Sequence, residues 1–437
     1  MKTMISFRLL WAVFFLWAGQ SAVAGPKIED WVAPSGARVY FVENHALPML
    51  DVQVDFPAGS ARDPAGLSGV ASLAHALLDL GVEGLDETQI ANRLADVGAQ
   101  ISGGVELDRA SVSLRTLSAV DKRDGALDVY RAVLSSPRFP AEVLERERAR
   151  KIAALKESLT RPDVIASRAF WAALYPGHVY GQAATPESLA AITRDDLERF
   201  YRMHYRASSA VVTLVGDLTR AEAERIAQTL TAELPSGKAV SRFDPLPMPR
   251  SGEQRLSHPA AQAHVLIGLP ALKRGDPDFF ALQVGNYTLG GGGFVSRLMR
   301  EVREKRGFAY SVYSYFMPLV QRGPFQIGLQ TKKEQADEAL SVARDVLASF
   351  LVDGPGEEEL LAAKQNIAGS FPLRLDSNRK ILDHVAVIGF YELPLDYLDT
   401  YVANVERVTA EDVRAAFSRH VRLEHLVTVI SGAIGKQ

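Results

Sequence analysis

The sequence contains no cysteine among its 437 residues, and this absence excludes several kinds of chemistry. Without thiols the chain has no disulfide framework, no cysteine nucleophile and no cysteine-ligated metal. Histidine is also scarce, so any metal site must be built from nine histidines and from carboxylates. No Gly-x-Ser-x-Gly elbow is present, and no Gly-Lys-Ser/Thr follows the glycines at 290–293. A serine hydrolase and a phosphate-binding loop therefore have no support.

Charge and hydropathy set further limits. The net charge of −3 gives no indication of nucleic-acid binding. The apolar run at residues 9–18 is too short to cross a bilayer, and no strong membrane signal follows it. Two positively charged residues, Lys2 and Arg8, precede the apolar run, and Ala22-Val23-Ala24 has the small residues of a cleavage site. We therefore expect residues 1–24 to be a signal peptide and the mature protein to be periplasmic; an uncleaved membrane anchor is the less favoured alternative.

The chain repeats itself once. A Thr-capped helical pattern leads through a histidine to a β-type run that ends in glycine, and this pattern occurs twice. Four residue pairs share an offset of 216: Thr193 and Thr409, Asp196 and Asp412, His204 and His420, and Gly216 and Gly432. A constant offset indicates an internal duplication. The sequence thus predicts an α+β fold of two similar halves, each a β-sheet packed with helices.

The boundary between the halves is expected where proline and turn residues accumulate. Residues 235–250 contain four prolines and little periodicity, which is typical of a linker. The predicted domains are therefore residues 25–234 and residues 251–437.

The most informative stretch runs from Leu289 to Phe316. Apolar spacing predicts a helix over residues 296–305, ended by Gly307, and alternation predicts a strand over residues 309–316. In that strand Tyr310 should share a face with Val312 and Ser314. Arg303 and Tyr310 then lie on two rigid elements, where they could hold an extended peptide and donate hydrogen bonds to a carbonyl oxygen. The alternative is a surface arginine and an ordinary sheet tyrosine.

This stretch resembles the C-terminal-domain signature of the pitrilysin and mitochondrial processing peptidase family, which is insulinase-like. That signature has a Gly-rich turn, then SRL, then an REKRGLAYSV-like run. The resemblance implies a metallohydrolase clamshell of two homologous domains. It also implies that Arg303 and Tyr310 match the arginine and tyrosine that reach into the zinc site of the other domain.

The same resemblance locates a zinc motif that has been lost. Catalytic members carry His-x-x-Glu-His on a helix, and the matching run here is Ser72-Leu73-Ala74-His75-Ala76. Ser72 and Ala76 replace the two ligand histidines, His75 stands in the place of the base, and Ala153 replaces the last glutamate ligand. The resemblance therefore implies that this chain binds no metal or other cofactor. The spacing of His420, Glu424 and His425 does not provide a substitute, because the first histidine is one residue too early.

Two functions follow from the resemblance. One is a non-catalytic partner subunit, expected to be inactive alone, that supplies Arg303 and Tyr310 to a homologous zinc-bearing chain with an intact His-x-x-Glu-His for peptide hydrolysis. The alternative is an inert peptide-binding or structural protein of the same fold. An autonomous zinc peptidase is hard to reconcile with Ser72, Ala76 and Ala153. Peptide specificity and the choice between a hetero- and a homodimer stay open.

Overall fold

The computed structural model describes residues 25–238, 240, 243 and 246–432, so the expected signal peptide lies outside the described residues. The first half is built on a six-stranded open sheet in the order β1-β2-β8-β3-β7-β6, antiparallel except between β2 and β8. One face of its central strand is apolar, because Val52, Val54 and Phe56 of β3 are buried in the hydrophobic core. The strands, with a small β4–β5 hairpin, are β1 Glu29–Val32, β2 Arg38–Glu43, β3 Met49–Phe56, β4 Gly81–Val82, β5 Leu85–Asp86, β6 Gln100–Val105, β7 Ala110–Leu117 and β8 Val211–Gly216.

Helices cover this sheet, and several begin at a side-chain cap. Thr193 Oγ1, for example, accepts a hydrogen bond from the Asp196 backbone N–H, and the Asp196 carboxylate accepts one from the Thr193 N–H at 3.0 Å. Such reciprocal capping satisfies the backbone donors that a helix start leaves open. The helices are α1 Val70–Ala76, α2 Glu87–Asp96, α3 Val120–Ser135, α4 Ala141–Ser158, α5 Pro162–Leu174, α6 Pro186–Ala191, α7 Arg194–His204 and α8 Arg220–Thr231.

The second half repeats this plan around a five-stranded open sheet in the order β11-β12-β10-β13-β9. Its strands are β9 Gly252–Leu256, β10 Gln262–Leu272, β11 Ala309–Phe316, β12 Gly323–Lys332 and β13 Val427–Ser431. Its α-helices are α9 Phe279–Asn286, α10 Ala336–Asp353, α11 Glu357–Ser370, α12 Asn378–Phe390, α13 Tyr397–Arg407 and α14 Ala410–His420. Two π-helical segments, Tyr287–Gly291 and Met299–Glu304, lie between α9 and β11.

The helices carry the duplication that the sequence predicts. Helices α3 and α10 begin at 120 and 336, α4 and α11 at 141 and 357, α5 and α12 at 162 and 378, and α7 and α14 at 194 and 410. Each difference is 216, the offset of the sequence repeat. The α+β class and the doubled plan are therefore as expected, and the described residues of the predicted linker form no helix or strand.

The two halves are interlocked because each packs a helix on the sheet of the other. Helix α5 lies on β10 and β13, and α12 lies on β3 and β8. The contacts are close: a Cβ at Gly268 would meet the Phe170 ring at 2.9 Å, and one at Gly389 would meet the Tyr40 ring at 2.7 Å. Glycine at these two positions lets ring and backbone touch.

A buried carboxylate adds polar contacts between the halves. Asp108, in the turn between β6 and β7, accepts hydrogen bonds from the Val320 N–H at 2.8 Å and from Tyr391 Oη at 3.1 Å, both in the second half. Its other oxygen accepts from Tyr180 Oη of its own half.

Within the part of the chain that the structure describes, no helix has the length and apolarity that a membrane span requires.

Candidate functional site

Helix α1, which carries the degenerate zinc motif, is fixed at its start by a buried carboxylate. Asp63 accepts hydrogen bonds from the Gly69 N–H at 2.6 Å and from the Ala71 N–H at 2.8 Å. Burial raises the pKa of Asp63 to about 6, although both of these hydrogen bonds act in the opposite direction. The helix then buries Val70 and Leu73 in the core of the first half. Ser72, His75 and Ala76, on the other side of the helix, are each half-buried.

The residues at the motif positions do not fit a zinc ion. Ser72 offers a neutral hydroxyl, and the methyl groups of Ala76 and Ala153 have no lone pair to donate. The His75 imidazole donates through Nε2 to the Ser111 carbonyl oxygen of β7 at 2.8 Å. Burial is the largest cause that lowers the pKa of His75. The position of the family's general base is thus occupied by His75, a neutral imidazole that is hydrogen-bonded to the sheet.

Lys151, which the sequence reasoning did not single out, reaches this position. Its Nζ donates a hydrogen bond to Ser72 Oγ at 2.9 Å. Among the described residues no carboxylate lies within ion-pair distance of it, because Glu147 pairs with Arg146 and Arg150 at 3.1 Å each. Burial lowers the pKa of Lys151. The sequence feature that could have identified Lys151 is its position on α4, two residues before Ala153. Sequence alone, however, does not show in which direction its side chain points.

The predicted basic helix exists, but much of it is π-helical. Residues Met299–Glu304 form a π-helix, and Gly307, with φ of 64°, ends the segment. The Phe308 N–H bonds back to the Val302 carbonyl at 2.9 Å, as expected of a glycine-terminated helix. π-Helical turns occur frequently at functional sites. The wide turn here sets the position of Arg303 relative to the strand that follows.

The predicted strand is confirmed as β11, but its expected facing is wrong at one residue. Val312 and Ser314 are buried, whereas Tyr310 is 78% exposed. The cause is a register shift between Ala309 and Ser311, which pair with consecutive residues of β12 and leave Tyr310 as the extra residue of a bulge. β-Bulges re-aim side chains in this way and are common beside active sites.

Arg303 lies close to two exposed aromatic rings. Its guanidinium carbon is 5.0 Å from the centre of the Phe294 ring and 5.6 Å from that of Tyr310. Phe294 follows Gly293, whose φ is 62°, and its ring is 67% exposed. Both distances are within the range of cation–π contacts, which use the ring faces and leave N–H donors of the guanidinium available. Sequence reasoning found Arg303 and Tyr310 but missed Phe294, because a phenylalanine after four glycines has no periodicity to interpret.

The other cations of the segment differ from Arg303 in their partners. Arg303 makes no ion pair with a described carboxylate, whereas its four neighbours all do. Those pairs are Arg297 with Glu359 at 2.6 Å, Arg300 with Glu359 at 3.4 Å, Lys305 with Glu301 at 2.8 Å and Arg306 with Glu301 at 3.0 Å. Within the described chain, Arg303 is therefore the cation of this segment whose donors remain for an external acceptor.

The opposite face of β11 borders the space between the halves. Tyr313 and Tyr315 stack at 6.1 Å and line a cavity of about 360 Å³ together with Asp163 and Ser167 of α5. The strand that carries Tyr310 thus lies at the boundary between the halves. The motif positions of α1 and α4 lie in the first half, and Arg303 and Tyr310 belong to the second.

His420 and His425 do not form the inverted zinc motif. His425 donates to the Pro249 carbonyl at 2.9 Å, away from His420. His420 instead lies beside Asp276 and Asp278, with 2.9 Å between its Nε2 and the Asp278 carboxylate. Arg419 pairs with Asp278 at 2.7 Å, so this carboxylate already has a positively charged partner within the chain.

Comparison with known proteins bears on this arrangement. The family model described as "Peptidase M16 inactive domain" matches residues 191–367. A crystal structure titled peptidase M16 inactive domain, from Pseudomonas fluorescens, is 39% identical and superposes with a TM-score of 0.90, covering 94% of this chain and 99% of that one.

Two curated relatives have different descriptions. A protein of Helicobacter pylori named non-peptidase homolog YmxG is 27% identical over 95% of both chains. An uncharacterized zinc protease of Streptomyces coelicolor is 26% identical over 82% of this chain and 79% of its own length.

Proposed function

Since this chain belongs to the peptidase M16 family, as its resemblance to pitrilysin and the processing peptidases predicted, we propose that it is the non-catalytic subunit of a two-chain peptidase. It is an inactive homologue of that family. In the proposed assembly, a homologous chain with an intact His-x-x-Glu-His supplies the zinc, and this chain supplies Arg303 and Tyr310. The substrates are peptides, and this chain itself carries no zinc.

The observation that carries the proposal is the unpaired Arg303 guanidinium. A cation within cation–π distance of Phe294 and Tyr310, with no ion-pair partner among the described residues, keeps its N–H donors for an incoming group. The Tyr310 hydroxyl, raised out of the sheet by the bulge, is a second donor beside it. Two fixed donors of this kind suit a peptide carbonyl whose oxygen gains negative charge during hydrolysis. Their orientation in advance lowers the cost of stabilising that charge.

The loss of the motif residues and the retention of the donors fit one division of labour. Ser72, Ala76 and Ala153 give this chain no metal chemistry of its own, and His75 is committed to the Ser111 carbonyl. A chain that has the hydrogen-bond donors Arg303 and Tyr310 but no metal ligands can contribute to hydrolysis only when a second chain activates the attacking water. One lost oxyanion donor costs roughly 3 kcal/mol in comparable sites, which is enough to make the assembly depend on this subunit.

Export to the periplasm is part of the proposal. It is supported by the sequence of residues 1–24, with Lys2 and Arg8 around the start of an apolar run and a cleavage site at Ala24. Mass spectrometry of the protein recovered from its native host should give Gly25 as the first residue. A mature chain that begins at Met1 would contradict this part.

The alternative is an inert scaffold of the same fold. The interlocked helices α5 and α12 and the buried Asp108 would serve such a scaffold equally well. A scaffold does not, however, require an arginine without an ion-pair partner beside two exposed rings. The Phe294–Arg303–Tyr310 arrangement therefore favours the subunit with a role in substrate binding.

The decisive experiment mixes two purified chains. The partner should be a homologous exported chain with an intact His-x-x-Glu-His, encoded near this one. We expect a stable complex by size-exclusion chromatography and peptide hydrolysis only when both chains are present. Hydrolysis by the partner alone at the same rate, with or without this chain, would favour the scaffold.

A further inference from the structure

The degenerate motif of the first half contains a positive charge, Lys151, on which Glu147 acts electrostatically but which has no described carboxylate at ion-pair distance. Lys151 Nζ is half-buried and bonds to Ser72 Oγ at 2.9 Å, and no described carboxylate pairs with it. The acidic residue one turn earlier on α4, Glu147, is occupied by Arg146 and Arg150. A partly buried ammonium is costly unless an anion compensates it. Burial accordingly lowers the pKa of Lys151.

An open sheet edge borders helix α1, which carries Ser72. Strand β6 is the last strand of the first sheet, so among the described residues one side of its backbone has no neighbouring strand. Helix α1 packs against β6, and a Cβ built at Gly103 would be 3.0 Å from His75 Nε2. At Gly104 a Cβ would meet nothing within 4 Å. Glycine at 103 makes room for the Ser111 carbonyl and His75, whereas Gly104 has open space beside it. An extended chain can add to such an edge as a further strand.

We propose that Lys151 and Ser72 form a carboxylate site that receives the C-terminus of a peptide paired with β6. The Lys151 ammonium has three N–H donors, one of which bonds to the Ser72 hydroxyl oxygen, and the Ser72 hydroxyl can itself donate a hydrogen bond. A carboxylate accepts from both groups and supplies the missing counter-charge. The first half thus binds a peptide end where related chains hold a metal. This assignment rests on the proposed function only in taking a peptide as the ligand.

Fluorescence anisotropy with short peptides tests the assignment. The probe is an N-terminally labelled Ala-Val-Ala-Val-Ala, prepared as the free acid, as the C-terminal amide, and as an amide with glutamate at the centre. The free acid should bind at least about tenfold more tightly than the plain amide, as expected of a charge-assisted contact. Equal binding of acid and amide, or no binding of either, would overturn the site. Tighter binding of the glutamate amide than of the free acid would overturn the assignment to a chain end.

Variants separate the charge from the fold. Lys151→Met should remove the preference for the free acid, and Lys151→Arg should keep it. Lys156→Met is the matched control, because Lys156 lies on the same helix and is exposed. A preference that survives Lys151→Met would refute the proposal. Failure here leaves the proposed subunit function intact, since the activity test of that function depends on Arg303 and Tyr310 in the other half.

Discussion

The Tyr310 ring lies against the Arg303 guanidinium, with 5.6 Å between the ring centre and the central carbon. The contact exists because the bulge at the start of β11 turns Tyr310 out of the alternation that buries Val312 and Ser314. The π-helix before Gly307 brings Arg303 to the same place. Two local irregularities therefore create the pair, and neither is needed to build the sheet.

The first prediction concerns Arg303 in the complex with a zinc-bearing partner. Arg303→Ala should lower kcat/KM by roughly 10²-fold, because a transition-state donor is lost. Tyr310→Phe removes one hydroxyl and should lower kcat/KM in the same direction. Steady-state peptide hydrolysis at fixed subunit ratio measures both effects.

Arg306→Ala is the control for Arg303→Ala. Arg306 lies three residues away and is paired with Glu301 at the surface, where such pairs contribute little. Its loss should leave kcat/KM nearly unchanged. Equal rates for Arg303→Ala and the unaltered complex would refute the role of Arg303.

The second prediction concerns Phe294, the other aromatic ring beside Arg303. Phe294→Ala should lower kcat/KM by about two- to fivefold, the effect of losing an exposed cation–π contact of about 0.5–1 kcal/mol. Phe294→Tyr keeps an aromatic face and should restore most of the rate. Val295→Ala is the control, since Val295 is equally exposed on the same turn. A loss in Val295→Ala as large as in Phe294→Ala would mean that the turn, and not the ring, matters.

The sequence predicted elements better than it predicted the site. The offset of 216 anticipated the paired helices, and the predicted strand has the same bounds, Ala309 to Phe316, as β11. Periodicity cannot reveal a bulge, because the extra residue is visible only in the pairing with β12. Lys151 and Phe294 were missed for a related reason: their roles depend on Ser72 and Arg303, which are 79 and nine residues away.

The third prediction concerns metal. The purified chain should contain no stoichiometric zinc after incubation with the ion and desalting, as measured by plasma mass spectrometry. A variant with Ser72→His, Ala76→His and Ala153→Glu regains ligands but keeps the Lys151 ammonium beside position 72. Adding Lys151→Met should therefore raise zinc affinity by about tenfold or more, because like charges repel strongly where solvent is partly excluded. Tight zinc in the unaltered chain would contradict this account.

The fourth prediction concerns Asp108, which joins the halves. Asp108→Ala leaves the Tyr391 and Tyr180 hydroxyls and the Val320 N–H without their acceptor. The free energy of unfolding should fall by about 2–4 kcal/mol, measured by urea denaturation. Glu106→Ala, in the same turn but 60% exposed, should cost less than about 1 kcal/mol. Similar midpoints for the two variants would show that Asp108 contributes no more than a surface group.

The last prediction concerns the stability of the fold in acid. Burial, together with the nearby charges of Arg62 and Arg206, lowers the pKa of His204 from 6.5 to about 4. His204 is therefore protonated below about pH 6.5 in the unfolded chain but only below about pH 4 in the folded chain. Because the unfolded state binds more protons between these values, the free energy of unfolding decreases as the pH falls from 6.5 to 4. The loss on this account should approach roughly 3 kcal/mol at the acid end.

His204→Phe should flatten that slope, because a phenyl ring can stack on Phe200 as the imidazole does and takes up no proton. Urea unfolding at several values between pH 7 and pH 4 gives the slope directly. His45→Gln is the control, because the Asp217 and Glu43 carboxylates raise the pKa of His45 in solvent. Removing His45 cannot relieve a destabilisation in acid, so its slope should stay at least as steep as that of the unaltered chain. If His204→Phe kept the full slope, the acid sensitivity would have to come from other groups.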